Sequence, residues 1–260
     1  MVKHPFHLVT VRPWPLLARG LVFSMLIRVW AYIWRGDHRG ALALGVVGLM
    51  CLMVLWWEDV TEERTREGCH TFWVEKNMRW GFILFIVREI LLFFRVFWGF
   101  WHCRLSVGLE IGGNWPSIGS TPVNPFDIPL LNTIILLGRG VRVTWAHHSI
   151  ILGKFNNMLW GIVLTIMIGL YFLAIQGGEY WLAENGIWDR STWSCFYIAT
   201  GLHGCHVLVG ALYLFKMGLR IIKGHFRQRH HFGLEGRIWY WHFVDVVWLL
   251  LFVEVYWWGG

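Results

Sequence analysis

The chain has 260 residues, of which 56% are hydrophobic and only 15% are charged, and it contains 20 tryptophans. A soluble domain carries about 25% charged residues, so this composition excludes a soluble protein and indicates a helical membrane protein. The net charge of +7 is spread along the chain, which does not predict a nucleic-acid partner. The five cysteines form no CxxC pair, so neither a disulfide framework nor a zinc site is expected.

Seven apolar windows predict seven transmembrane helices in a single domain that covers residues 1–260. The predicted spans are 15–34, 41–57, 79–102, 129–151, 158–182, 193–216 and 238–257. A charged loop is expected at 58–70. The longest connection, 110–129, is rich in Gly and Pro and should be non-helical and folded against the bundle.

The first residues resemble neither a signal peptide nor a transit peptide, which predicts insertion from the side of synthesis. With seven spans the two termini lie on opposite sides of the membrane. The loops after spans two, four and six contain more Lys and Arg than the other loops, so the N-terminus is predicted to lie inside.

Glu89 is the most informative residue of the third predicted span. Counted from Arg79, it lies ten residues in, which is roughly 15 Å at ~1.5 Å per residue. It therefore falls near the middle of a hydrocarbon core about 30 Å thick, where an acid costs about 2.5–3.5 kcal/mol. Either Glu89 is a functional acid, or it is a protonated acid that hydrogen-bonds a neighbouring helix.

The 13 histidines raise the question of a metal site. His203 and His206 are spaced i,i+3 and share a helix face, whereas adjacent histidines such as His147 and His148 diverge by about 100°. The histidine boxes of a membrane di-iron oxygenase are missing from the sequence. We therefore predict no metal in this chain and assign these four histidines to interhelical polar contacts or interfacial positions.

Two further patterns leave alternatives open. His242 and Asp245 are i,i+3 neighbours in the seventh predicted span, where they form either a proton relay or, as we prefer, a polar contact between helices. The basic loop 216–231 predicts a site for anionic lipid headgroups on the inner side. Its alternative is the ordinary excess of positive charge on inner loops, which needs no bound lipid.

A series of short motifs, in this order along nearly the whole chain, resembles subunit III of the haem–copper cytochrome c oxidases, closest to the mitochondrial form. The motifs are Trp14–Leu16, Trp56–Asp59, Ile83–Ile86 with Glu89, Gly112–Pro116, Asn124–Phe126, Pro129–Thr133, Thr144–Ser149, Ala199–Gly204, His230–Glu235 and Trp239–Trp248.

The resemblance implies an all-α membrane fold of seven helices, with a phospholipid-filled, V-shaped cleft between the first two and the other five. It implies a non-redox core subunit of the proton-pumping oxidase that passes electrons from cytochrome c to oxygen. Haem and copper would lie in subunits I and II. This chain would support assembly, lipid retention and proton uptake by subunit I, with subunits I and II, accessory subunits and phospholipids as partners. The mitochondrial inner membrane is the expected location, with the N-terminus on the matrix side.

The resemblance also implies roles for single residues. Glu89 matches the family's reactive intramembrane carboxyl and would support proton uptake. The residues that match the family's lipid contacts are Trp57, Glu63, His70, Arg220, Lys223, His225 and His230. One alternative is subunit III of a bacterial cytochrome c or quinol oxidase. Another, outside this family, is a free-standing seven-helix transporter or metal-dependent membrane enzyme.

Seven arginines stand where the family usually has small residues, often serine: Arg12, Arg88, Arg95, Arg104, Arg139, Arg142 and Arg190. Arg88 and Arg95 would each cost a few kcal/mol in mid-span, and they share one helix face. Adjacent helical residues point apart, which predicts that Arg88 does not pair directly with Glu89. Either such arginines pair with acids of other subunits, or codons read as serine in the organelle were translated as arginine.

Overall fold

The computed structural model describes residues 6–35, 39–108, 113–116, 119, 121–189, 191–225 and 231–259, with only the backbone described at 32–35 and 39–42. These ranges contain helices and no strand, as the all-α prediction requires. The helices are α1 (Trp14–Arg35), α2 (Arg39–Thr65), α3 (Phe72–Leu105), α4 (Ile128–Ile151), α5 (Phe155–Leu182), α6 (Ser191–Ile222) and α7 (Phe232–Leu251), followed by a π-helix (Phe252–Trp257).

Five of the helices, namely α1, α2, α5, α6 and α7 with its π-helical extension, are long and apolar enough to cross a membrane. The other two contain charged residues in their middle parts. These are Arg88, Glu89 and Arg95 in α3, and Arg139 and Arg142 in α4. For these two helices, membrane crossing stays a prediction.

Several helices extend beyond the predicted spans. The stretch 58–70, predicted as a loop, continues α2 as far as Thr65. There the hydroxyls of Thr61 and Thr65 each donate a 2.7 Å hydrogen bond to the carbonyl four residues earlier, and Arg66 pairs with Glu62 at 2.9 Å. Likewise α3 begins at Phe72 rather than 79, and α6 ends at Ile222 rather than 216. Apolar windows mark only the membrane-buried part of a helix, because charged turns outside the hydrocarbon remain helical.

The first compact unit, residues 1–78, is built on the packing of α1 against α2. Gly45 of α2 is essential to this contact. A Cβ atom at this position would lie 2.7 Å from Cγ of Met25 in α1, so only glycine lets the two helices approach this closely.

The second compact unit, residues 79–260, contains most of α3 and all of α4 to α7. Its helices pack in the pairs α4–α5, α5–α6, α6–α7 and α4–α7. The core is rich in aromatic residues, with Phe93 and Phe100 of α3, Phe196 of α6 and Trp248 of α7 all buried. Between membrane helices such side chains contribute through close van der Waals packing rather than through transfer from water.

The connection between α3 and α4 has no helix in its described residues, and it packs against other parts of the second unit. The Trp115 indole donates a 2.9 Å hydrogen bond to the carbonyl of Gly259 and lies edge-on to Phe100 at 5.6 Å. The Thr121 hydroxyl donates to Glu184 at 3.0 Å. The prediction of a non-helical segment folded against the bundle is therefore confirmed for these residues.

Candidate functional site

Glu89 lies on the buried side of α3, with only 6% of its surface exposed. Its Oε2 atom lies 2.9 Å from Nε2 of His206 in α6, and its Oε1 atom accepts a 2.6 Å hydrogen bond from Nη2 of Arg88. A carboxyl group in this position is expensive in hydrocarbon, and the two nitrogen partners offset that cost.

The contact between Glu89 and His206 must contain a proton. Nδ1 of His206 lies 2.8 Å from the carbonyl oxygen of Leu202, so this nitrogen donates its hydrogen to the backbone. Nε2 can then meet Glu89 in two ways. Either a protonated Glu89 donates to the bare Nε2, or a doubly protonated His206 donates to a carboxylate. In both cases one proton lies between α3 and α6.

Aromatic rings enclose this pair. The His206 ring lies 5.0 Å from Phe93 and is stacked 6.2 Å from Tyr240 at an interplanar angle of 19°. Phe243 contacts the same ring edge-on at 6.4 Å. This enclosure keeps the pair away from bulk solvent on the α6–α7 side.

The prediction that Arg88 does not pair with Glu89 is wrong. The two Cβ atoms do diverge, but the long arginine side chain places its guanidinium over the Phe85 ring, with Cζ 5.0 Å from the ring centroid, and Nη2 reaches the carboxylate. The rule that adjacent helical residues point apart describes Cβ directions, and a side chain with four rotatable bonds can overcome it. The Arg88 side chain is 72% exposed, and Arg95 is exposed as well.

Asp245 of α7 forms a buried ion pair with Arg139 of α4, at 2.6 Å between Oδ1 and Nη2. Arg139 is fully buried, and its guanidinium lies 4.5 Å from the centroid of the Trp241 ring. The described partner of Asp245 is therefore an arginine from another helix. His242 is half-buried, and it lies beside an apolar groove of about 420 Å³ between α3 and α7.

The remaining predicted histidines lie at helix contacts or near the surface. His203 is fully buried in α6, with Nε2 3.1 Å from the carbonyl oxygen of Val244 in α7. The rings of His147 and His231 are 5.7 Å apart, and the exposed His148 lies 6.1 Å from His147.

In the first unit, Glu63 is the centre of a polar cluster. It is 3% exposed, and its Oε1 atom lies 2.7 Å from Nη2 of Arg12 in an ion pair. Its Oε2 atom lies 3.2 Å from Nε2 of His7 and 3.9 Å from Nε2 of His70. The half-buried Trp57 lies six residues, about 1.7 turns, earlier on α2. The structure thus brings Glu63 and His70 together and adds His7 and Arg12, of which the sequence had singled out only Arg12.

In the second unit, the other predicted lipid contacts lie at the end of α6. Arg220 is 7% exposed, Lys223 is exposed, and His225 is half-buried. The backbone turns here at Gly224, whose φ of +70° favours glycine. His230 and Arg190 lie outside the described residues.

One buried network was missed by the sequence analysis. Gln176 of α5 donates from Nε2 to Glu179 at 2.8 Å and accepts at Oε1 from Asn132 of α4 at 3.2 Å. The Tyr256 hydroxyl donates to the same Glu179 carboxylate at 3.1 Å. The available signal was a second acid, Glu179, inside a predicted span and three residues after a glutamine.

Comparison with known proteins places this geometry in context. A family model described as Cytochrome c oxidase subunit III matches residues 4–260. Cytochrome c oxidase subunit 3 of Cyprinus carpio is 47% identical over 258 residues, and that of Arabidopsis thaliana is 45% identical over 261 residues. The same protein of Equus asinus is 45% identical over 258 residues. Each alignment covers 99% of this chain and 98% of the relative. These matches confirm the resemblance that the motifs predicted.

Proposed function

Because the chain belongs to the cytochrome c oxidase subunit III family, we propose that it is the non-redox core subunit of a proton-pumping oxidase that passes electrons from cytochrome c to oxygen. Its membership of the oxidase complex and its place in a membrane follow from the whole-chain matches and the five apolar helices. The observation that carries the proposal is the identity of 45–47% over 99% of the chain.

We assign haem and copper to subunits I and II, with accessory subunits as further partners. Residues 1–260 act as one subunit III domain of seven spans, two of them separated from the other five by phospholipid. The complex lies in the mitochondrial inner membrane, with the N-terminus on the matrix side. Relatives from a fish, a plant and a mammal favour this assignment over a bacterial cytochrome c or quinol oxidase.

Co-purification tests the subunit assignment. An antibody against this chain should retain haem and a large subunit I from detergent-solubilised membranes, and all three should migrate together on a native gel. Recovery of the chain without haem, or with stoichiometric iron of its own, would instead support a free-standing membrane enzyme.

Within the complex, we propose that Glu89 supports proton uptake by subunit I. The support is the contact with His206, which holds one proton at a buried position, together with the charge of Arg88 at 2.6 Å. The alternative is that the same contact only ties α3 to α6. Glu89→Gln separates the two, because glutamine can still bond His206 but cannot exchange a proton.

We also propose that phospholipid headgroups bind at two places. In the first unit the residues are Trp57, Glu63 and His70. In the second they are Arg220, Lys223, His225 and His230. Cations at the C-terminal end of α6 complement both the helix dipole and an anionic phosphate.

Lipid analysis of the purified complex tests this proposal. A double variant, Arg220→Gln with Lys223→Gln, should retain fewer phospholipids per complex than wild type after mild detergent washing. Lys154→Gln is the matched control, since Lys154 is an exposed cation in the connection between α4 and α5 and is not one of the proposed headgroup residues. Equal lipid retention in all three complexes would refute the headgroup site in the second unit.

A further inference from the structure

Three potential metal ligands converge in the first unit. His7 lies in the non-helical segment before α1, Glu63 in the last turns of α2, and His70 in the connection between α2 and α3. Each offers one ligand atom, and these three atoms all lie within 4.8 Å of one another. Two imidazoles and a carboxylate therefore meet although the chain brings them from separate segments.

The separations suit a small divalent cation. Zinc binds imidazole nitrogen at about 2.0–2.1 Å and carboxylate oxygen at about 2.0–2.2 Å, so tetrahedral ligand atoms lie about 3.3 Å apart. The observed distances from Glu63 Oε2 are 3.2 Å to His7 and 3.9 Å to His70. All three ligand atoms lie within 4.8 Å of one another, so the rings must move inward by up to about 1.5 Å to reach zinc geometry.

The surroundings of the carboxylate also suit a metal. Arg12 binds the other oxygen, Oε1, at 2.7 Å, which fixes the orientation of the carboxylate and leaves Oε2 facing the two histidines. The Arg12 charge is shared with Asp59, whose Oδ2 lies 3.5 Å from Nη1. Asp59 is in turn held by a 2.7 Å hydrogen bond from the indole of Trp14. With neutral imidazoles, two carboxylates and one guanidinium leave a net negative charge that favours a dication.

Burial gives the cluster an inner and an open side. The side chains of Glu63 and His70 are 4% and 3% exposed, whereas that of His7 is 23% exposed. A cation can therefore approach past His7 and be held by the two buried groups.

We propose that His7, Glu63 and His70 form a zinc-binding site, with a fourth position open to water. Among the divalent metals, zinc is favoured over iron(II) by the general affinity order for nitrogen and oxygen ligands, and magnesium is disfavoured by imidazole. This inference rests only on the geometry of the three side chains. It shares Glu63 and His70 with the lipid contacts proposed for the first unit, so zinc and a headgroup would compete for these two side chains.

Zinc binding to the intact purified oxidase tests the proposal. Equilibrium dialysis against ⁶⁵Zn²⁺ would compare wild type with His7→Gln and His70→Gln, with haem content and subunit composition measured on each sample. His102→Gln is the matched control, because His102 is an exposed histidine at the end of α3 in the second unit. Loss of one ligand should weaken zinc binding at one site about tenfold or more, relative to wild type, in both test variants. The control variant should bind zinc as wild type does.

Several results would overturn the site. They are wild-type zinc affinity in His7→Gln, an equal loss in the control, or tighter binding of Fe²⁺ than of Zn²⁺. If a variant complex fails to assemble, X-ray absorption of zinc-loaded wild type decides the question. The spectrum of zinc bound to the complex must then show coordination by two imidazole nitrogens and by no sulfur. Lipid content measured on the same samples keeps a failure here distinct from a failure of the headgroup proposal.

Discussion

The buried ion pair between Arg139 and Asp245 allows the sharpest quantitative prediction. Arg139 is fully buried, and its Nη2 atom lies 2.6 Å from Oδ1 of Asp245. Asp245→Asn keeps the shape of the side chain but removes its charge, which leaves the guanidinium buried without a counter-ion. Breaking a buried pair in this way costs about 3–5 kcal/mol, so the variant subunit should dissociate or unfold far more readily.

The assay is the denaturant midpoint for loss of this subunit from the purified complex, compared between wild type and variant. The double variant Arg139→Met with Asp245→Asn is the control. It leaves no buried charge without a partner, so its midpoint should lie above that of the single variant Asp245→Asn. The reasoning is refuted if Asp245→Asn leaves the midpoint unchanged in a chain whose peptide mass shows arginine at 139. A serine at that position would instead explain a small effect, because no buried cation would then be stranded.

Three further predictions concern other parts of the chain. Glu89→Gln should leave the complex assembled, with haem content and electron transfer largely intact, while proton uptake becomes slower because glutamine cannot exchange a proton. Loss of haem incorporation would contradict the peripheral role. Peptide mass spectrometry over residues 81–102 should return arginine masses at 88 and 95 if these residues are genuine, and serine masses if the codons are read differently. Gly210→Ala should destabilise the bundle by about 1–3 kcal/mol, because its Cβ would lie 2.5 Å from Trp241. Gly177→Ala, with nothing within 4 Å of its Cβ, should be neutral or slightly stabilising in the same unfolding assay.

The sequence predicted the number and order of the helices but not their ends. Hydropathy detects residues that must avoid water, and a helix continues past them wherever local bonds support it. The last turns of α2 show this, because Thr61, Glu62 and Thr65 are polar but complete i,i+4 contacts. A capping and charge-pair analysis of 58–66 would have extended this helix correctly.

The partners of the predicted residues were less accessible to sequence reasoning. Glu89 was identifiable from its depth in an apolar window, whereas its contact with His206 joins residues 117 positions apart. The same holds for Arg139 with Asp245, which are 106 positions apart. Periodicity places a residue on a helix face, but only tertiary packing decides which face of which other helix it meets.

The structure weakens the energetic argument that the unusual arginines stand in place of serines. That argument compared an unpaired guanidinium in hydrocarbon with a small serine, and it assumed that no acid was within reach. Arg12, Arg88 and Arg139 each contact a carboxylate at 2.6 or 2.7 Å within their own unit. An ion pair with such short contacts offsets much of the cost of removing the cation from water.

Arg95 differs from these three. It is exposed on α3, and no ion pair to it occurs among the residues that the structure describes. Lipid at this position would leave the full cost of a few kcal/mol, whereas an acidic side chain of a neighbouring subunit would remove it. The choice between a genuine arginine and a reassigned serine codon must therefore be made separately for each position. The energetic case for serine now rests on positions such as 95 and 142, since the described contact of Arg142 is a hydrogen bond to the carbonyl of Gly138 and not an ion pair. An acid of a partner subunit would remove that case at either position.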